Sequence, residues 1–266
     1  AGLTDPHEVH SVDGSITTAG VTVSDAWQHG PTPYPTTGIF GKSSNAGTLM
    51  RAQRVGRESF SDYLERFGLG QRTGVELAGE SDGLVPDLQN WQGGSFANLP
   101  IGQGLSMTTL QMAGVYQTIA NDGVRVPPRI IAERVGPDGE SHPAERPEGQ
   151  RVVSEETART VRDMFRAVTQ SGPGAQSGTG PQAAIAGYQI SGKTGTAQQI
   201  DPGCSCYSNS RYWITFAGIL PADDPRYVIA IMLDAPSRGV LGASAAPLFH
   251  DIASWLINRD NIPPSA

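Results

Sequence analysis

The chain is poor in lysine and cysteine and has no long apolar run, and each shortage excludes something. Of its 266 residues, Lys42 and Lys193 are the two lysines, against 17 arginines, and the net charge is −7. An acidic surplus argues against nucleic acid as a main partner, because neutralising phosphates requires a basic face. No stretch approaches the roughly 20 apolar residues that span a bilayer. The opening Ala1-Gly2-Leu3-Thr4 has neither an initiator methionine nor a basic-then-apolar targeting signal, and reads as the middle of a longer gene product. The two cysteines sit together as Cys204-Ser205-Cys206. With no second pair and with five scattered histidines, a metal centre is not expected. The two thiols are either plain loop residues or an oxidised pair.

Glycine and proline are plentiful, at 33 and 20, so loops are long and numerous. The length still allows one large or two small domains with a sizeable core. Residues 1–42 look irregular, with short β-like pieces such as Val21-Thr22-Val23. Residues 46–67 read as two helical segments joined near Gly56, with Phe60, Tyr63, Leu64 and Phe67 on one face. Ser106 is a candidate cap for a helix running to about Ala120. Arg129–Arg134 and Gln150–Val153 read as strands flanking a turn at Pro137-Asp138-Gly139. Ser154, followed by Glu155 and Glu156, caps a third helix. Residues 171–186 read as a mobile loop, 187–198, 212–220 and 227–234 as strands, and 244–258 as a last helix. No internal repeat is present.

Gly187-Tyr188-Gln189-Ile190-Ser191-Gly192-Lys193-Thr194 matches the phosphate-binding pattern G-x-x-x-x-G-K-[ST] in full. Its context argues against a nucleotidase. A phosphate loop needs a helix starting at the Lys-Thr pair, since free N–H groups at a helix N-terminus hold the phosphates. Here Gly195, two glutamines and Asp201-Pro202-Gly203 follow, which cannot sustain a helix. The six residues Pro221–Arg226 suffice for a hairpin but not for a parallel crossover. The sheet is therefore expected to be antiparallel, and Asp234 to be structural.

Lys193-Thr194-Gly195-Thr196 makes better sense on an edge strand. Side chains alternate along a strand, so residues 193 and 195 face one way and 194 and 196 the other. Gly195 leaves room for a peptide-like substrate to pair with the backbone. The hydroxyls of Thr194 and Thr196 suit a terminal carboxylate, and Lys193 adds positive charge and a proton carrier. Ser43 and Asn45, in Ser43-Ser44-Asn45, supply a hydroxyl for proton relay and an amide to orient a peptide group. A backbone N–H near Thr196 suits half of an oxyanion hole. The blander expectations are that Ser-Ser-Asn only caps a helix and that His29 is a hydrogen-bonding loop residue.

Landmarks follow one another along the whole chain: His29-Gly30, Ser43-Ser44-Asn45-Ala46-Gly47, Phe67-Gly68-Leu69-Gly70, Thr73-Gly74-Val75-Glu76-Leu77, Ile101-Gly102-Gln103-Gly104, Ile119-Ala120-Asn121-Asp122-Gly123 and Gly192-Lys193-Thr194-Gly195-Thr196-Ala197. In this order they resemble the transpeptidase domain of class B penicillin-binding proteins, and look most like the actinobacterial cell-division type. The resemblance implies an α/β fold of the α+β type: an antiparallel sheet flanked by helices, with a mostly helical region at about 1–125 and the sheet region at about 126–266. It implies D,D-transpeptidase chemistry on peptidoglycan stem peptides, inhibition by β-lactams, partners in the division machinery, and no cofactor or metal. It also implies an extracytoplasmic location with an upstream membrane anchor. Ser43 and Asn45 match the family's Ser-x-Asn motif, and Lys193, Thr194, Gly195 and Thr196 its third motif.

The family's Ser-x-x-Lys motif, which carries the nucleophile, has no match: Ile39 and Ile190 stand three residues before the two lysines. The resemblance puts that motif, and two strands before it, ahead of a segment like Ala1–Pro6. Three explanations stand: a longer or cleaved protein, a deliberate omission, or a sequence given without its upstream residues. The first is favoured. A non-catalytic interaction module is the alternative function.

Overall fold

The computed structural model describes residues 2–92, 94–172, 177–237 and 242–265. The first 35 residues, expected to be irregular, form strands. β1 (Val9–Val12) pairs antiparallel with β4 (Thr32–Pro35), and β2 (Ser15–Thr18) pairs with β3 (Val21–Ser24). Helix α1 (Thr36–Lys42), absent from the sequence reading, follows directly. α2 (Asn45–Val55) and α3 (Arg57–Arg66) come next, broken at Gly56 as expected. A short α4 (Ser95–Asn98) precedes α5 (Thr109–Ala120).

Ser106 is not the cap of α5. Its backbone pairs with Leu84, which keeps it extended. Thr108 caps instead, its hydroxyl accepting from the Gln111 N–H while Gln111 Oε1 accepts from the Thr108 N–H. The strand expected at 129–134 also shifts. β5 (Val124–Arg125) pairs with β8 (Gln150–Arg151), and β6 (Glu133–Val135) pairs with β7 (Ser141–Pro143) across the Asp138-Gly139 turn. Pro127 and Pro128 have no N–H to donate, so no ladder can run through them. Ser154 does cap α6 (Glu155–Phe165), accepting from the Thr157 N–H.

The central sheet comprises β9 (Ser191–Asp201), β10 (Cys206–Leu220) and β11 (Tyr227–Asp234), in the antiparallel order β11-β10-β9. β9 starts later and ends later than expected, because Gly187 and Tyr188 form a turn closed by Tyr188 N–H to Ile185 O. The residues after Lys193 continue in a strand, so no helix N-terminus faces a phosphate and the nucleotide-binding pattern is coincidental. Asp234 has a structural partner, accepting from Gln199 Nε2 at 2.7 Å. At the β9–β10 turn, Cys204 and Cys206 are joined by a disulfide.

Alternation along β10 sorts the core into two layers. Ile214, Phe216 and Leu220 face α7 (Ala246–Asp260) through Phe249, Ala253 and Leu256. Ala217 and Ile219 face Tyr116 and Ile119 of α5 and Phe165 of α6. Phe216 and Phe249 are fully buried with ring centroids 4.8 Å apart. Burying each such ring stabilises by roughly 1.5–3 kcal/mol. Of the segment expected to be a mobile loop, residues 173–176 lie outside the described residues. Its later part is packed: Gly180 and Ala183 are buried, and the Gly180 N–H bonds Val168 O.

Candidate active site

The two motif halves reach the same place by different routes. β9 is the edge of the three-stranded sheet, and its register with β10 is continuous from Ser191 to Gln198. Lys193 opposes Ala217, so it faces the α5–α6 layer, whereas Thr194 opposes Phe216 and faces the α7 layer. This is the alternation expected of a strand. Gly195 opposes Thr215, and a Cβ at 195 would collide with Thr215 Oγ1. Its small size is therefore required inside the sheet.

Ser43 arrives from the helical side. α1 is docked by the Phe40 ring, stacked on Phe165 at 4.6 Å. Its end is marked by Ser43 in the left-handed region, at φ 56° and ψ 42°, with the N–H groups of Ser43 and Ser44 bonded to Phe40 O and Ile39 O. A left-handed non-glycine residue costs roughly 1–2 kcal/mol, which the two cap bonds offset. Ser44, not Ser43, caps α2 through the Gly47 N–H. A Cβ on Gly47 would fall 2.7 Å from Ile39 Cγ2, so glycine lets α1 and α2 meet this closely. The helix cap expected of Ser-Ser-Asn is thus made by Ser44, which leaves the Ser43 hydroxyl outside it.

The two routes join at one hydrogen bond. Lys193 Nζ donates to Ser43 Oγ at 2.6 Å, across 150 residues of sequence, and to Thr194 O at 2.9 Å. Phe40 lies beneath, its ring centre 5.9 Å from Nζ. Desolvation in this position pushes the Lys193 ammonium down to about 8. A proton can therefore leave or return to Nζ near neutral pH, next to a hydroxyl that can pass it on.

The remaining expected residues are placed as follows. Asn45 Nδ2 donates to Ser24 O at 2.9 Å, and among the described residues nothing bonds its Oδ1. Thr194 is buried, with its hydroxyl 2.7 Å from Thr179 Oγ1. Thr196 is exposed on the edge strand. Sequence reasoning missed Thr179 and Asp25. Asp25 carries the polar support of the Ser-x-Asn turn, and its one sequence signal was an acid four residues before His29. His29 is a hydrogen-bonding loop residue as expected, bonded to Asp25 Oδ2 and Gly30 O.

The sequence and its antiparallel sheet flanked by helices match a known family. The chain belongs to the penicillin binding protein transpeptidase domain family, whose model matches residues 1–254. It is 68% identical over 268 residues to penicillin-binding protein PbpB of Mycolicibacterium smegmatis, covering 99% of this chain and 41% of that protein. It is 37% identical over 232 residues to peptidoglycan D,D-transpeptidase FtsI of Escherichia coli, covering 86% of this chain and 37% of the relative. Among solved structures it is similar to penicillin-binding protein 3 from Mycobacterium tuberculosis complexed with aztreonam, at a TM-score of 0.96 and 64% identity, covering 100% of this chain and 60% of that one. The chain thus spans about two fifths of the length of these curated relatives.

Proposed function

We propose that this chain forms the Ser-x-Asn and Lys-Thr-Gly part of a serine-type D,D-transpeptidase that cross-links peptidoglycan at cell division and is inhibited by β-lactams. The nucleophilic serine lies outside residues 1–266. The observation that carries the reading is the 2.6 Å bond from Lys193 Nζ to Ser43 Oγ, which joins two motif halves far apart in sequence. It is supported by relatives named as D,D-transpeptidases and penicillin-binding proteins and by an aztreonam complex of a similar structure.

In this reading the donor stem peptide lies along the free edge of β9. Thr196, with Thr194 behind it, receives the terminal carboxylate, and Asn45 orients a peptide group. The serine oxygen adds to the penultimate D-alanine carbonyl. The C–N bond breaks, and the terminal D-alanine leaves as an amine after taking a proton relayed through Lys193 and Ser43. A neighbouring amine then attacks the ester and releases the serine. We place the domain outside the cytoplasm, tethered by an upstream anchor, in contact with division proteins. No helix among the described residues is long and apolar enough to cross a membrane.

The test is incubation with a labelled penicillin followed by intact-mass analysis. Residues 1–266 alone remain unlabelled, and the full-length gene product gains one adduct. An adduct on residues 1–266 alone would refute the placement of the nucleophile. Tight binding of a partner by residues 1–266, with no adduct on the full-length product, would favour the interaction module that the missing Ser-x-x-Lys also allows.

A further inference from the structure

The β9–β10 hairpin carries a disulfide that the proposed chemistry does not use. Cys204 and Cys206 are joined across one residue, and Cys204, Ser205 and Cys206 are all exposed. A loop this short restricts the unfolded chain little, so the bond is a poor staple for the whole domain. Its ring closes on a backbone that serine disfavours: Ser205 lies in the left-handed region at φ 54°. Asp201 completes the turn, its carbonyl accepting from the Ser205 N–H at 2.8 Å and its Oδ1 from the Gly203 N–H at 2.8 Å. Exposed disulfides in strained turns are the ones that thiols reduce readily.

The tip closed by this bond keeps two ladder pairs, Cys206↔Asp201 and Tyr207↔Ile200, with Ile200 and Tyr207 exposed. The register then shifts between Tyr207 and Tyr212. This bulge is pinned. The buried Ser208 hydroxyl accepts from the Ser210 and Arg211 N–H groups at 3.2 and 3.1 Å, and Gln198 Nε2 donates to Ser208 O at 3.0 Å. It separates the tip from the ladder that aligns Lys193 to Thr196. The strand β9 itself runs on to Asp201. Ile200 stands four residues past Thr196, roughly 13 Å along the strand, so a peptide paired with the free edge beyond Thr196 reaches the tip.

We propose that Cys204–Cys206 is a reducible disulfide that accepts two electrons from a thioredoxin-type dithiol, and that its oxidised form pre-orders the tip 200–207 as the end of the peptide-binding edge. A donor thiolate adds to one sulfur and the other leaves as a thiolate. The donor's second thiol then displaces the first, so two electrons and two protons pass to Cys204 and Cys206 and the donor leaves as a disulfide. The redox claim stands on the hairpin alone, and the binding consequence rests on the transpeptidase reading.

The experiment equilibrates the full-length protein with thioredoxin at equal concentrations of its oxidised and reduced forms. Trapped by alkylation and read by mass on the peptide that holds both cysteines, more than about half of the pair is reduced. A reduced fraction below about a tenth would mark a structural bond and overturn the proposal. Ser205→Gly relieves the left-handed residue and lowers the reduction equilibrium constant about threefold to tenfold. An unchanged constant overturns the role given to the turn. Amide exchange speeds up at 200–207 on reduction and stays the same at 191–198, and equal exchange at the tip in both forms overturns the ordering claim. The double variant Cys204→Ser/Cys206→Ser, which cannot close the ring, binds a stem pentapeptide about threefold to tenfold more weakly than the oxidised wild type, because the tip must then be ordered on binding. Its penicillin acylation rate constant stays within about twofold. Equal peptide affinity overturns the binding consequence. If the oxidised wild type neither binds the peptide nor is acylated, the transpeptidase reading fails, and the redox claim is decided by the reduced fraction and the exchange at the tip.

Discussion

The two sides of the Lys193–Ser43 contact are built on different physics. On the sheet side, Lys193, Thr194, Gly195 and Thr196 are spaced by a ladder whose register runs unbroken over eight pairs, from Ser191↔Ile219 to Gln198↔Tyr212. Packing of Phe216 and Phe249 behind it makes the placement of Lys193 a consequence of hydrophobic burial. On the helical side, Ser43 and Asn45 lie at a junction between two short helices, held by a charged network of Asp25, His29, Ser44 and Ser24. A ladder tolerates point changes because many bonds share the load. A buried charge network does not, because removing one member leaves the others unpaired.

The largest expected effect tests the bond that joins the two sides. Lys193→Ala in the full-length protein lowers the penicillin acylation rate by about 10²–10⁴-fold, the range of a lost general acid–base group. Stopped-flow acylation within threefold of wild type would remove Lys193 from the chemistry. Next, Phe216→Ala should cost about 3–5 kcal/mol of stability, measured by urea unfolding at constant m. A cost below about 1 kcal/mol would mean that the sheet side does not depend on this ring.

A smaller change belongs to the network side. Ser44→Ala removes the cap of α2 and one donor to Asp25, and should cost about 1–2 kcal/mol. An unchanged urea midpoint would show that the network carries no stability.

The smallest effects are two pH slopes of opposite sign. Lys193 has its folded value lowered from 10.5 to about 8 by desolvation. Between these values the unfolded chain binds more protons, so stability rises with pH there. His29 has its folded value raised above 6.5, first by its bond to Asp25 and with Asp13 nearby. Its contribution is complete below 6.5 and is lost as pH climbs through the folded value. Lys193→Met should flatten the first slope and leave the second, and Asp25→Asn the reverse. Titration of the melting temperature of each variant separates the two sides, and a single shared slope would contradict their independence.

The contrast explains what could be read in advance. Unlike β1–β4, the strands of the central sheet, the hairpin at Pro221–Arg226 and the antiparallel order were legible because they rest on local alternation and on loop length. So were α2, α3 and α6, through apolar spacing and caps. The cap was misassigned to Ser106 because Leu84, distant in the chain, pairs with Ser106 and holds it extended. Helix α1 was invisible: its residues, Thr-Thr-Gly-Ile-Phe-Gly-Lys, have poor intrinsic helix propensity. It forms because Phe40 stacks on Phe165, 125 positions away in the chain. The oxidised state of Cys204 and Cys206 was one of two open readings, and adjacency of the thiols at the hairpin turn selects it.

The sequence by itself determined the family, the motif residues and the edge strand that bears Lys193, because those follow from residue order and period-two patterning. Only the tertiary structure decided that Ser43, and not its neighbour, meets Lys193. A left-handed turn between α1 and α2 sends Ser43 toward Lys193 and Ser44 into the helix cap. The Ser44 hydroxyl donates to a buried carboxylate 19 residues earlier in the chain, and no local rule of sequence can price a charge whose counter-ion and donors come together only on folding.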